Sequence, residues 1–178
     1  MRESIFQSEI KRSIDALMGH SHYHKIPDVY AKGDFETKRP YDCYVFYNKE
    51  FCALELKQIR ECKSFPFENV EPHQIYYLQK VKQNLGLAYV VINYRFSPSQ
   101  KQMKKYKLKE NKYNFTIAID IDYFTYIRVC YKDRKSWPVC DILTHYKDNT
   151  HNFGLTFITW EKMRNINTYI WRIDKLLY

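Results

Sequence analysis

Three charged residues interrupt the apolar stretch "RPYDCYVFYNKEFCALELKQ", Arg39 to Gln58: Asp42, Glu55 and Lys57. Glu55 and Lys57 are two apart, so in an extended strand their side chains leave the same face. Asp42 and Glu55 are 13 residues apart and equidistant from a midpoint of 48.5, inside the polar "NKE". A turn there folds residues 41–47 back against 51–57 and brings the two carboxyls together at the open end of a hairpin. Carboxylates that close repel unless a proton or a divalent cation neutralises them. All-oxygen ligands suit Mg²⁺ or Mn²⁺. Lys57 adds a fixed positive charge where negative charge develops on a phosphoryl group. This is equipment for metal-dependent phosphodiester hydrolysis. The plainer reading is an ion pair at a hairpin end, since the spacing also arises by chance. Three things weigh toward chemistry. The charges stand against an apolar strand, "FCALELK", Glu9 on a preceding helix offers a further carboxylate, and the chain is basic.

Something must position these groups. Phe6, Ile10, Ile14 and Leu17 recur at helical spacing and predict a first helix over residues 4–18, from Ser4 to a stop at Gly19. Residues 19–40, with His20, His22 and His24 alternating, read as a loop, and the histidines as loop residues or phosphate contacts rather than metal ligands. After the hairpin comes the loop "KSFPFENVEP", whose Pro66 excludes a central strand. Pro72 suits the first turn of a helix through "HQIYYLQKVKQNLG", with Gly86 as its stop. "LAYVVINY" is then a buried strand, placed in the hairpin's sheet through that crossover helix. Residues 99–112 hold six lysines and read as a basic loop, either solvated or gripping phosphates. A strand through Ile119 and a short helix follow. "FGLTFITWEKM" reads as strand, and "NTYIWRIDKLL" as strand or helix.

The 178 residues suit a single domain, and 45% apolar residues are enough for a core. No apolar run is long enough to cross a bilayer, and the N-terminus lacks a signal-peptide core. The expectation is therefore a protein with no membrane association that works in the cytoplasm. Five cysteines, an odd number without a CxxC pair, argue against a disulfide framework or zinc site. The net charge of +9 points to a polyanionic partner, with nucleic acid first. Solubility or A+T-rich coding bias would also produce it.

Taken in order, Asp42, the "ELK" strand, the Ser-Phe-Pro loop, "HQ" opening a helix and the apolar strand after Gly86 resemble the RecU-type Holliday-junction resolvases, within the PD-(D/E)xK nuclease superfamily. The similarity is clear over residues 38–96. It implies an α/β, restriction-endonuclease-like fold, a mixed central sheet flanked by helices, with residues 1–178 forming one nuclease domain. By position it implies Asp42, Glu55 and the main-chain carbonyl of Leu56 as holders of Mg²⁺ or Mn²⁺. Lys57 would be the catalytic lysine, Gln74 a supporting active-site residue and Glu9 the first-helix acid. Lys38, Arg39, Lys63, Ser64, His73, Lys101, Lys104, Lys105 and Lys107 would contact DNA. The resemblance further implies a homodimer on a four-way junction, and a stalk for which residues 19–41 are the candidate, beside a basic loop at 97–114. A bacterial cell or a phage-infected host would be the setting. The alternatives are a related nuclease cutting ordinary duplex or branched DNA, and a non-catalytic DNA-binding recombination accessory protein.

Overall fold

The computed structural model describes residues 3–17, 19–27, 38–148, 154–163 and 168–176. Ten of the candidate stalk's residues, 28–37, lie outside this set. In chain order the elements are α1 (Glu3–Leu17), β1 (His22–Lys25), β2 (Cys43–Tyr47), β3 (Glu50–Ile59), β4 (Phe65–Pro66), α2 (Pro72–Gln83), β5 (Leu87–Phe96), α3 (Gln100–Tyr106), β6 (Tyr113–Asp120), α4 (Ile121–Cys130), β7 (Ser136–Trp137), α5 (Val139–Asp148), β8 (Leu155–Ile158), β9 (Trp160–Met163) and β10 (Thr168–Trp171). A six-stranded sheet runs in the order β1-β2-β3-β5-β6-β8, parallel between β3 and β5 and antiparallel elsewhere. It is a mixed central sheet with helices on both faces.

Alternation along β3 divides the core. Cys52, Leu54 and Leu56 face α1, whose Phe6, Ile10 and Ile14 are fully buried, together with Trp171 of β10. Each such side chain stabilises the fold by about 2 kcal/mol. Ala53 and Ile59 face the other way, onto a cluster holding Ile75 and Leu78 of α2, Phe124 of α4 and Ile142 of α5. Glu55 and Lys57 share this second parity. The β2–β3 hairpin closes through Asn48 and Lys49, both at positive φ (48° and 70°), between the paired Tyr47 and Glu50. This two-residue turn matches the strand twist and fixes the register. Cys43 pairs with Leu54, so Asp42 stands one step beyond β2, level with Glu55.

Four local expectations are corrected. Residues 22–25 are not loop but strand β1, because β2 supplies their backbone partners while Tyr23 turns inward. The basic segment at 97–114 contains helix α3, opened by a capping box between Ser99 and Gln102 and closed by Lys107 in the left-handed region. Helix α1 begins at Glu3, so Ser4 lies inside it rather than capping it. At the end of α2 the left-handed residue is Leu85 (φ 64°), not Gly86. Gly86 is needed for a different reason, since a Cβ there would lie 2.6 Å from Val81 Cγ1 and 3.2 Å from the Phe51 carbonyl. Phe65–Pro66 forms only a two-residue pairing with Ser136–Trp137, away from the main sheet, as Pro66 requires. Among the described residues no helix is long and apolar enough to cross a membrane.

Candidate active site

The hairpin's open end buries two carboxyl groups, with Asp42 1% and Glu55 0% exposed. Asp42 Oδ2 accepts the Leu56 N–H at 2.7 Å, just past the last β2–β3 pair. The Leu56 carbonyl, on the same edge of the strand as its N–H, therefore opens toward the same place. Asp42 Oδ1 receives the Arg39 guanidinium at 2.6 Å and the Gln7 amide of α1 at 3.3 Å. Glu55 Oε1 receives Lys57 Nζ at 2.7 Å and the Gln74 amide, also at 2.7 Å. Glu55 Oε2 is buried with no hydrogen-bond partner.

Helix α2 holds both halves in place. Gln74 uses its two ends at once, Oε1 accepting the Glu71 N–H at 2.9 Å in a capping box and Nε2 donating to Glu55. That double use fixes the amide's orientation. His73 Nε2 lies 3.0 Å from the Arg39 carbonyl, and Lys38 reaches Glu71 Oε2 at 3.2 Å. The first turn of α2 thus clasps the segment leading into Asp42. The Ser-Phe-Pro loop that leads toward α2 is anchored on α4 and α5. Phe65 packs edge-on to Phe124, and the Ser64 hydroxyl accepts the Val139 N–H at 3.3 Å, at the start of α5.

Burial pushes the Asp42 carboxyl above its ordinary value, against the pull of the Leu56 N–H and Arg39. Burial first, and the Asp42 charge second, push Glu55 up to about 7 despite Lys57. Arg39 and Lys57 face the two carboxyls, yet burial still raises both and one oxygen is left without a partner. That donor set fits a hard divalent cation bound by two carboxylates and a main-chain carbonyl, with water completing the shell. Among the described residues no group of three or more His, Cys, Asp or Glu side chains assembles, so such an ion would rely on this mixed set.

The remaining sequence candidates fall in several places. Glu9 is not brought into contact with Asp42 or Glu55. Its Oε2 accepts Arg95 at 2.7 Å and the Trp171 indole at 3.2 Å. Gln7 is the α1 side chain that reaches the site. It was missed as polar, yet it shares a face with Ile10 and Ile14 at i+3 and i+7, which marks an inward position. Arg39, expected on DNA, is tied to Asp42 instead. Lys63 sits at the surface beside Glu61, at 3.5 Å. Lys101, Lys104 and Lys105 ride on α3 and Lys107 ends it, outside the carboxylate cluster.

A family model described as Recombination protein U, RecU, matches residues 10–99, half of the chain. The chain belongs to the RecU family. The matched segment contains Asp42, Glu55, Lys57 and Gln74, the residues the fold gathers at one site. Among RecU relatives, the Holliday junction resolvase RecU of Ureaplasma parvum is 28% identical over 82 residues, 46% of this chain and 45% of that protein. The Holliday junction resolvase RecU of Staphylococcus carnosus is 28% identical over 67 residues, 38% of this chain and 32% of that protein. The chain spans less than half the length of these relatives. A solved structure of Archaeoglobus fulgidus Hjc, a Holliday junction resolvase, aligns over 78% of this chain and 98% of its own, at 12% identity and a TM-score of 0.36.

Proposed function

We propose that this RecU-family chain is a metal-dependent, structure-selective endodeoxyribonuclease that nicks four-way DNA junctions, working as a single nuclease domain in a homodimer. The observation that carries the reading is the buried Asp42–Glu55 pair with the unpartnered Glu55 Oε2, beside Lys57. Asp42, Glu55 and the Leu56 carbonyl would hold Mg²⁺ or Mn²⁺. A divalent cation so held supplies Lewis-acid polarisation of the phosphate and makes water more acidic. Lys57, 16% exposed and so open to the substrate side, stabilises negative charge building on the phosphoryl oxygens. Gln74 keeps the Glu55 carboxylate in one orientation. Arg39 holds Asp42 until positive charge arrives from elsewhere.

The names borne by the two relatives favour the junction as substrate over plain duplex. A two-fold dimer would present one site to each of the junction's symmetric scissile phosphates. The test is cleavage of a synthetic four-way junction against a linear duplex of the same sequence, with Mg²⁺ or Mn²⁺. Symmetric nicks in the junction are expected, together with their loss in Asp42→Asn while binding persists. An uncut junction sinks the reading. Equal cutting of the duplex replaces it with a general duplex nuclease.

A further inference from the structure

A line of rings crosses the hairpin end of the sheet on the same face as Glu55 and Lys57. His22 and His24 of β1 lie with ring centroids 6.3 Å apart and planes at 15°. His24 meets Tyr44 of β2 at 5.3 Å, and Tyr44 meets Phe51 of β3 at 5.1 Å. Phe46, paired in register with Phe51 and sharing Tyr44's parity, adds a ring that is 47% exposed. Helix α2 packs on β3 and β5 and leaves this end of the face open, and the two histidines are exposed. Phe51 is also part of the wall of a groove of about 730 Å³ that Tyr41, Tyr77, Lys49 and Lys80 help to line. Tyr44 stands two residues from Asp42 on the same face, and its cross-strand partner Ala53 two residues from Glu55, so the line of rings adjoins the carboxylate site.

Such exposure has a cost in a water-soluble protein, since apolar rings side by side on an open strand surface invite association. Flat rings at these spacings offer π faces, and lysines at the groove offer charge for a phosphodiester backbone. Together they suit an unpaired strand: bases stack on aromatic rings without regard to sequence, while cations track the phosphates. A paired duplex hides its base faces and could use only the charge. We propose, resting on the nuclease reading above, that this face is a stacking platform for unpaired nucleobases of DNA beside the scissile phosphate. It would select a substrate by the presence of opened bases rather than by sequence.

The experiment uses the full chain in EDTA, so that no strand is cut. The probes are a duplex with a short unpaired gap carrying 2-aminopurine and a continuous duplex of the same sequence. Wild-type protein is expected to quench the 2-aminopurine and to prefer the gapped DNA by about tenfold or more, the scale of one or two stacked bases. Tyr44→Ala and Phe46→Ala should each lose most of the quenching and preference, and Tyr44→Phe, which keeps the ring, should retain both. Circular dichroism confirms that each variant is folded. Should the alanine variants be unfolded, Phe46→Trp serves instead, its indole fluorescence expected to fall on gapped DNA alone. Equal affinity for the two DNAs overturns the proposal, as does quenching that survives removal of the rings. A change in sedimentation on ring removal with no change in DNA preference overturns it too, and assigns the face to protein contact. Failure of the nuclease reading would show separately, as an uncut junction in Mg²⁺ or Mn²⁺ with the 2-aminopurine quenching intact.

Discussion

The Glu55 carboxyl makes the protein's stability depend on pH in an unusual direction. Burial and the neighbouring Asp42 charge raise it from 4.5 to about 7. The folded state therefore binds this proton more tightly than the unfolded chain does. Its contribution is fully present below about pH 4.5 and is lost as pH climbs through about 7. A rise of that size corresponds to about 3 kcal/mol, and Asp42, raised by burial too, acts in the same sense. Most carboxylates do the opposite and favour the fold as they ionise. Urea unfolding in EDTA, from about pH 5 to about pH 8, should show wild type losing stability relative to Glu55→Gln, which cannot titrate. The two curves should converge at the acid end. Mg²⁺ or Mn²⁺ at a fixed concentration, about a hundredfold above its dissociation constant at pH 8, should restore about 2.7 kcal/mol there and less at pH 5, because the ion needs the carboxylates deprotonated. Parallel pH profiles for wild type and Glu55→Gln would refute the reasoning, whatever their absolute height.

Three further outcomes are expected. Gln74→Ala removes both the Glu55 hydrogen bond and the capping box of α2, so single-turnover cleavage should slow by about 10- to 100-fold and urea unfolding should show a loss of about 1 kcal/mol. An unchanged rate would leave Gln74 a capping residue only. Replacing Lys104, Lys105 and Lys107 with Ala should weaken DNA binding and reduce the slope of log affinity against log salt by about 0.9 for each phosphate the lysines no longer neutralise. An unaltered slope in a binding titration would place that run on free surface. Leu85→Gly relieves a side chain that is 93% exposed and held at φ 64°, and should raise thermal stability by about 1 kcal/mol; a lower melting temperature would contradict this.

The parts of the fold legible in the sequence are those set by short-range rules. The hairpin register followed from a polar turn between apolar strands, so the meeting of Asp42 with Glu55 could be read from position alone. Helix α2 announced itself by Pro72 and its apolar period, and β5 by its uniform apolarity. Strand β1 was hidden because "HYHK" becomes a strand by pairing with residues about twenty positions away. The same distance effect hid the partners of Glu9. Nothing local indicates that Glu9 meets Trp171, 162 residues later. The expectation of Ser64 on DNA rests only on the family resemblance, and no local signal marks its structural role. Its actual neighbour, the start of α5, is 75 residues away.

The Asn48–Lys49 turn has a consequence for how this chain can change over time. Asp42 to Tyr47 and Glu50 to Glu55 are arms of equal length on either side of it. Side chains alternate along each arm, so one residue added or removed on either side would swing a carboxyl to the opposite surface of the sheet. Point changes within the segment can be absorbed one side chain at a time, whereas a shift in its length cannot. Residues 42–55 therefore work as a fixed gauge, and gene-level insertions and deletions that leave the carboxylate pair intact must fall outside it.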